Sequence, residues 1–274
     1  MKKILLILSL ILVGVIPLFA STKVLAQNSE KRKILISISN ISSRSFAVSW
    51  VSDQKNHDAI MYGTNPNQLD KYAVDDRGGA TDRITHHVTI MDILPETDVV
   101  FKIENDNQIY HQKTAPYLYT IPRTGDKFGG KITTEDGTIP NEGMIYTTIG
   151  DSQLITTPIY GNTGTWDINS FAIRNSSLTE YYWYPLSSMA VFYAISGSEG
   201  EGGVSSYVFA KDRSLDINLA PPRVPVFKVQ LPGSEKYLAQ PLPSASDTPS
   251  TQSNPQASNE GFFDVIWRRL KEIF

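Results

Sequence analysis

The chain of 274 residues contains no cysteine. A disulfide framework, a thiolate zinc site, a cysteine nucleophile and a lipid-modified cysteine behind a leader all need that sulfur, so each is excluded. Histidine is scarce, with His57, His86, His87 and His111 making up the whole complement of 4. Basic charge is not in excess: 25 Lys and Arg stand against 28 Asp and Glu, and a formal charge of −3 leaves no footprint for nucleic acid. No serine sits in a Gly-x-Ser-x-Gly elbow, the turn that presents a hydrolase nucleophile. Gly197 to Gly203 is rich in glycine and acid, but neither a Lys nor a helix pattern follows, so it reads as a hairpin end and not as a phosphate cradle.

What is present leans toward β structure, with 13 Tyr, 16 Pro and 18 Gly among many Ser and Thr. The length allows two domains of about 100 residues each plus tails. Lys2-Lys3, the apolar run Ile4 to Ala20 and Val24-Leu25-Ala26 read as an export signal over residues 1–26, with an uncleaved anchor helix as the competing reading. An exported chain without cysteine points to a bacterial envelope or secreted protein.

From residue 33 to 115 the chain is a series of short alternating apolar runs divided by turn residues, as strands with one buried face require. They include Ile34 to Ile38, Ser45 to Trp50, Ala59 to Thr64, Thr85 to Ile90, Leu94 to Ile103 and Ile109 to Thr114. Phe46, Val48 and Trp50 share one face by period two, which makes Trp50 a core residue. Asp75 to Asp82 is expected to be a polar loop. In His86-His87 neighbouring side chains point to opposite faces and cannot share one ion, so one packed and one solvated His are expected.

Trp50, Tyr62-Gly63-Thr64, His87 and Leu94-Pro95-Glu96-Thr97 carry a resemblance to a fibronectin type III module. Within that family they are most similar to the N-terminal domain of purple acid phosphatases. The resemblance implies a small β-sandwich and, by itself, no catalysis. Val99 stands where that family has a corner tyrosine. The metallophosphoesterase partner domain holds its metals in Gly-Asp and Gly-Asn-His motifs. Here Gly150-Asp151 and Gly161-Asn162 occur, but Thr163 follows, so both pairs read as hairpin turns and no catalytic domain of that kind is expected in these residues. Leu94-Pro95-Glu96-Thr97-Asp98 looks like a sortase signal, yet it lies mid-chain without the final Gly and belongs to the sandwich corner.

Residues 126–220 form a second β region. Phe128 to Ile132, Gly143 to Ile149, Gln153 to Ile159, Gly164 to Asn169, Met189 to Ile195, Ser205 to Ala210 and Leu215 to Leu219 supply enough strands for a seven-strand sandwich. The order of a Gly-x-Ile strand, an Asp-Gly turn and a Gly-x-Trp-x-Ile strand resembles a carboxypeptidase-regulatory-like domain; an immunoglobulin-like sandwich is the broader expectation. Residues 221–259 read as a Pro/Ser/Thr-rich linker. Over residues 260–274, Phe262, Phe263, Ile266, Trp267, Leu270, Ile273 and Phe274 fall on one arc of an amphipathic helix. At about 21 Å it is too short to span a bilayer, so it is expected to touch a membrane surface or an envelope protein.

The expected fold class is therefore all-β, two tandem sandwiches followed by a linker and a terminal helix. The expected function is a non-enzymatic, exported cell-envelope protein, with the sandwiches as spacer, adhesion or protein-interaction units. No catalytic residue, cofactor or metal ligand is assigned. The alternative is a secreted carbohydrate- or polymer-binding protein, for which Tyr182, Trp183 and Tyr184 offer a polysaccharide-stacking platform.

Overall fold

The computed structural model describes residues 36–122, 124–161, 163–210, 214–222 and 237–242. The expected leader and the arc Phe262, Phe263, Ile266, Trp267, Leu270 and Phe274 lie outside the described residues.

The first sandwich is built from β1 (Ile36–Ser39), β2 (Phe46–Asn56), β3 (Ile60–Gly63), β4 (Lys71–Ala73), β5 (Arg83–Ile90), β6 (Asp98–Ile103) and β7 (Tyr110–Lys113). The second uses β8 (Lys127–Thr133), β9 (Met144–Ile149), β10 (Ile155–Pro158), β11 (Thr165–Asn169), β12 (Met189–Ile195), β13 (Glu201–Tyr207) and β14 (Ile217–Asn218). A last strand, β15 (Gln240–Pro241), returns to the first sandwich. The sheets are ordered β1-β2-β5, β15-β7-β6-β3-β4, β10-β9-β12-β13 and β11-β8-β14. The first pair of sheets has the strand arrangement of a fibronectin type III or immunoglobulin-like sandwich.

Period-two alternation explains both cores. Phe46, Val48 and Trp50 of β2 meet Val99, Phe101 and Ile103 of β6 in the first. Ile145 and Ile149 of β9 and Ala190, Phe192 and Ala194 of β12 meet Phe128, Ile132, Trp166 and Ile168 in the second. Gly130 lets β8 approach its neighbour closely, because a Cβ there would run into the Leu215 backbone. At the corner before β6, the absent tyrosine is replaced by threonines. Thr97 N donates to Thr114 Oγ1 at 2.9 Å, and that hydroxyl donates to Leu94 O at 2.7 Å. Val99 is fully buried instead.

Four expectations need correction. His86 and His87 are both buried. β2 is buried along Phe46 to Ser52 on both faces, and so is the whole of β9, so neither strand has a solvent side. The hairpin end expected over Gly197 to Gly203 is there but shorter: Ser196 N closes the turn on Gly200 O at 2.9 Å, and β13 begins at Glu201. Finally, residues 237–242, within the stretch read as a linker, are folded: Gln240 and Pro241 pair with His111 and Tyr110, and Ala239 N donates to Ile36 O at 2.8 Å.

Candidate functional site

The two-faced burial of β2 and β9 has one cause: the sheet β1-β2-β5 packs against the sheet β10-β9-β12-β13. Val51 meets Met144, Tyr146, Leu154, Val191, Tyr193 and Ile195 in a third apolar cluster, with Ile84 and Tyr237 at its margin. Ala47 and Ser49, small residues on the second face of β2, permit the approach. Both sandwiches consequently belong to one compact unit, with four sheets stacked in series.

Polar side chains pin this seam. Glu142, just before β9 and buried, carries one carboxylate oxygen across to the first sandwich, where it accepts from Ile84 N at 2.9 Å, Thr85 N at 2.8 Å and Thr85 Oγ1 at 2.8 Å. Arg77 lies beneath the same strand. Its guanidinium forks onto the two carboxylate oxygens of Asp75, at 2.8 Å each, and reaches Gly143 O at 3.3 Å. Asp75 also accepts from His87 N at 2.9 Å. Burial pushes the Asp75 carboxyl upward, but Arg77 and these bonds outweigh it and hold the group below its ordinary value. Asp76 accepts from His87 Nδ1 at 2.9 Å and Thr89 Oγ1 at 2.6 Å, which outweighs its own burial in the same way.

A second pin is Asn40. Its φ of 52° is a left-handed conformation that asparagine tolerates. There its side-chain amide donates to Thr156 O at 2.8 Å and accepts from Thr156 N at 2.9 Å, imitating one rung of a strand pair on the edge of β10. Tyr146 OH donates to Ser49 Oγ at 3.1 Å, and Tyr237 OH reaches Ser152 O at 3.4 Å. On the first-sandwich side His86 stacks on Trp50, with ring centroids 4.6 Å apart, and burial pushes its pKa down to about 4. Period-two reading missed Asn40, Asp75, Arg77 and Glu142 because it assigns polar residues in loops to solvent.

The aromatic run does not assemble into one exposed face. Tyr184 is buried, its hydroxyl bonded to Asp126 at 2.8 Å and Ser170 at 2.6 Å. The Tyr182 hydroxyl accepts from Asp151 N at 3.0 Å, and only Trp183 projects, at 65% exposure. The depression beside Tyr181, Tyr182 and Tyr184 has room for about one water, whereas drug-sized ligands need about 300 Å³ or more. No group of three or more His, Asp or Glu able to hold a metal occurs among the described residues. Nor is any described helix long and apolar enough to cross a membrane.

No family model matches this chain. No curated protein matches it. Among solved structures it is similar to the FN1–FN3 domains of chicken CNTN1, with a TM-score of 0.21 and 11% identity over 68% of this chain. The match spans 65% of that protein's chain. The sandwich assignment rests on the strand order and the packing of the sheets described above.

Proposed function

We propose that this is a non-enzymatic, exported cell-envelope protein whose sandwiches act together as one rigid spacer or interaction body, held at a membrane surface or on an envelope partner by residues 260–274. In this reading the first sandwich is of the kind that precedes purple acid phosphatases and the second is carboxypeptidase-regulatory-like. The observation that carries the proposal is the seam. Flexible tandem modules are joined by small polar contacts; here an apolar cluster and the Glu142 and Asn40 pins join them instead. A body stiffened in this way suits holding a surface at a fixed distance. Attachment is assigned to the tail because its apolar arc, at about 1.5–3 kcal/mol per large side chain buried, suffices for reversible binding before ordering costs are subtracted.

The test is membrane fractionation of the full-length protein beside a chain stopped at Asn259. The expected result is a membrane-bound full-length protein and a soluble truncated one. If both are soluble, the attachment reading fails.

A further inference from the structure

The sheet β10-β9-β12-β13 ends on β13, and that edge is only half covered. At its start, Glu201 and Ala220 exchange backbone hydrogen bonds of 2.9 and 2.8 Å. Beyond them, from Gly203 to Tyr207, no strand among the described residues pairs with the outer side. Three other edges are blunted. β15 carries Pro241, β10 ends in Pro158 and has Thr156 occupied by Asn40, and β4 carries Lys71 beside Asp70. Gly203-Val204-Ser205-Ser206-Tyr207 has neither charge nor proline.

This sequence is complementary to itself. Placed antiparallel across a two-fold axis at Ser205, Val204 faces Ser206 of the second copy and Gly203 faces Tyr207. A glycine on an edge leaves backbone bare, and an aromatic ring directly across the strand covers it. The surface beside this edge is apolar as well. Tyr207 stacks on Phe209 at 5.4 Å with planes 9° apart, and Phe209 N donates to Leu186 O at 2.9 Å. Tyr207, Phe209 and Leu186 are 47%, 65% and 55% exposed. Large apolar groups grouped at an unpaired edge mark an interaction surface.

We propose that residues 203–207 pair antiparallel with the same residues of a second copy, joining the two four-stranded sheets across a two-fold axis. The pairing uses the same edge on both partners, so it closes as a dimer and does not propagate. It is independent of the tail and of membrane attachment.

The absence of native cysteine makes the test direct. Cα atoms facing each other across an antiparallel pair lie about 4.5–5.5 Å apart, within disulfide reach. Ser205→Cys should therefore give a covalent dimer on mild oxidation, whereas Glu135→Cys, an exposed control in the second sandwich, should stay at background. In sedimentation of the full chain, Ser205→Lys should weaken the dimer about tenfold by setting like charges face to face. Mixing Ser205→Lys with Ser205→Glu should restore a heterodimer. A native chain that remains monomeric up to about 1 mM, or a Ser205→Cys chain that cross-links no faster than the control, overturns the proposal. So does hydrogen-exchange protection of the outward amides of Gly203, Ser205 and Tyr207 in the monomer, because another segment of the chain then covers the edge; Val204 and Ser206 point to β12 and are protected in either case.

Discussion

Replacing Glu142 by alanine removes the acceptor of three hydrogen bonds that cross the seam, two from the backbone amides of Ile84 and Thr85 and one from the Thr85 hydroxyl. Each bond to a charged group contributes about 1.5–3 kcal/mol singly. They share one oxygen, so the sum is not additive. The larger cost is that two backbone amides, that of Thr85 buried and that of Ile84 partly so, lose their partner. Leaving a buried donor without a partner costs about 1–3 kcal/mol, so for three donors that share one oxygen the loss is about 3–5 kcal/mol in all. With a slope of about 4–5 kcal/mol per M guanidinium chloride for a body of this size, the unfolding midpoint should fall by about 0.6–1.2 M. Glu142→Gln keeps an oxygen in place and loses only the charge, so its midpoint should fall by about half as much. Glu135→Ala, on the exposed side, should leave the midpoint unchanged. The measurement is equilibrium denaturation followed by circular dichroism. A Glu142→Ala midpoint within about 0.2 M of the native one would refute the reasoning, since the carboxylate would then contribute no more than an exposed ion pair does.

The pH dependence has a definite sign. His86 is held neutral by burial, with its pKa pushed down to about 4, whereas in the unfolded chain it takes up a proton near 6.5. Between those values the unfolded state binds more protons, so stability is complete above pH 6.5 and falls by about 3 kcal/mol as pH drops to 4. His86→Phe keeps a ring against Trp50 and should flatten this window in denaturation curves recorded from pH 4 to 7; an unchanged slope counts against the assignment. Asp75 and Asp76 are held below their ordinary value, so their contribution persists above about pH 4 and is lost only in stronger acid, which the same series extended downward should show as a second decline. Asn40→Ala should lose both bonds to Thr156 and hold at a φ of 52° a residue that tolerates the left-handed region less well than asparagine, for about 2–3 kcal/mol in all. Asn40→Gly should lose the bonds alone and be the milder of the two by thermal unfolding; equal losses would remove the backbone part of the argument.

The sheets were legible in the sequence because each core is written in period two. Phe46, Val48 and Trp50 alternate with Ala47 and Ser49, and the alternation correctly assigns the first set to a core. What it misassigns is the second set, because a small or polar residue between apolar neighbours reads as solvent-facing whether or not another sheet covers it. The seam is such a covering. Its pins join residues far apart in sequence, Glu142 to Thr85 and Asn40 to Thr156, and they lie in loops or at strand ends where no period operates. The near-continuous run Met144 to Ile149 carried a local hint, since a strand apolar on both faces is one that expects two partners. The small residues opposite it on β2 carried the other. A strand without a polar face, together with a strand whose second face is Ala and Ser in place of Lys and Glu, is the pattern from which stacked sandwiches can be read. Neither strand suffices alone, because Ala and Ser are also common on open faces and it is the match between the two that requires the seam.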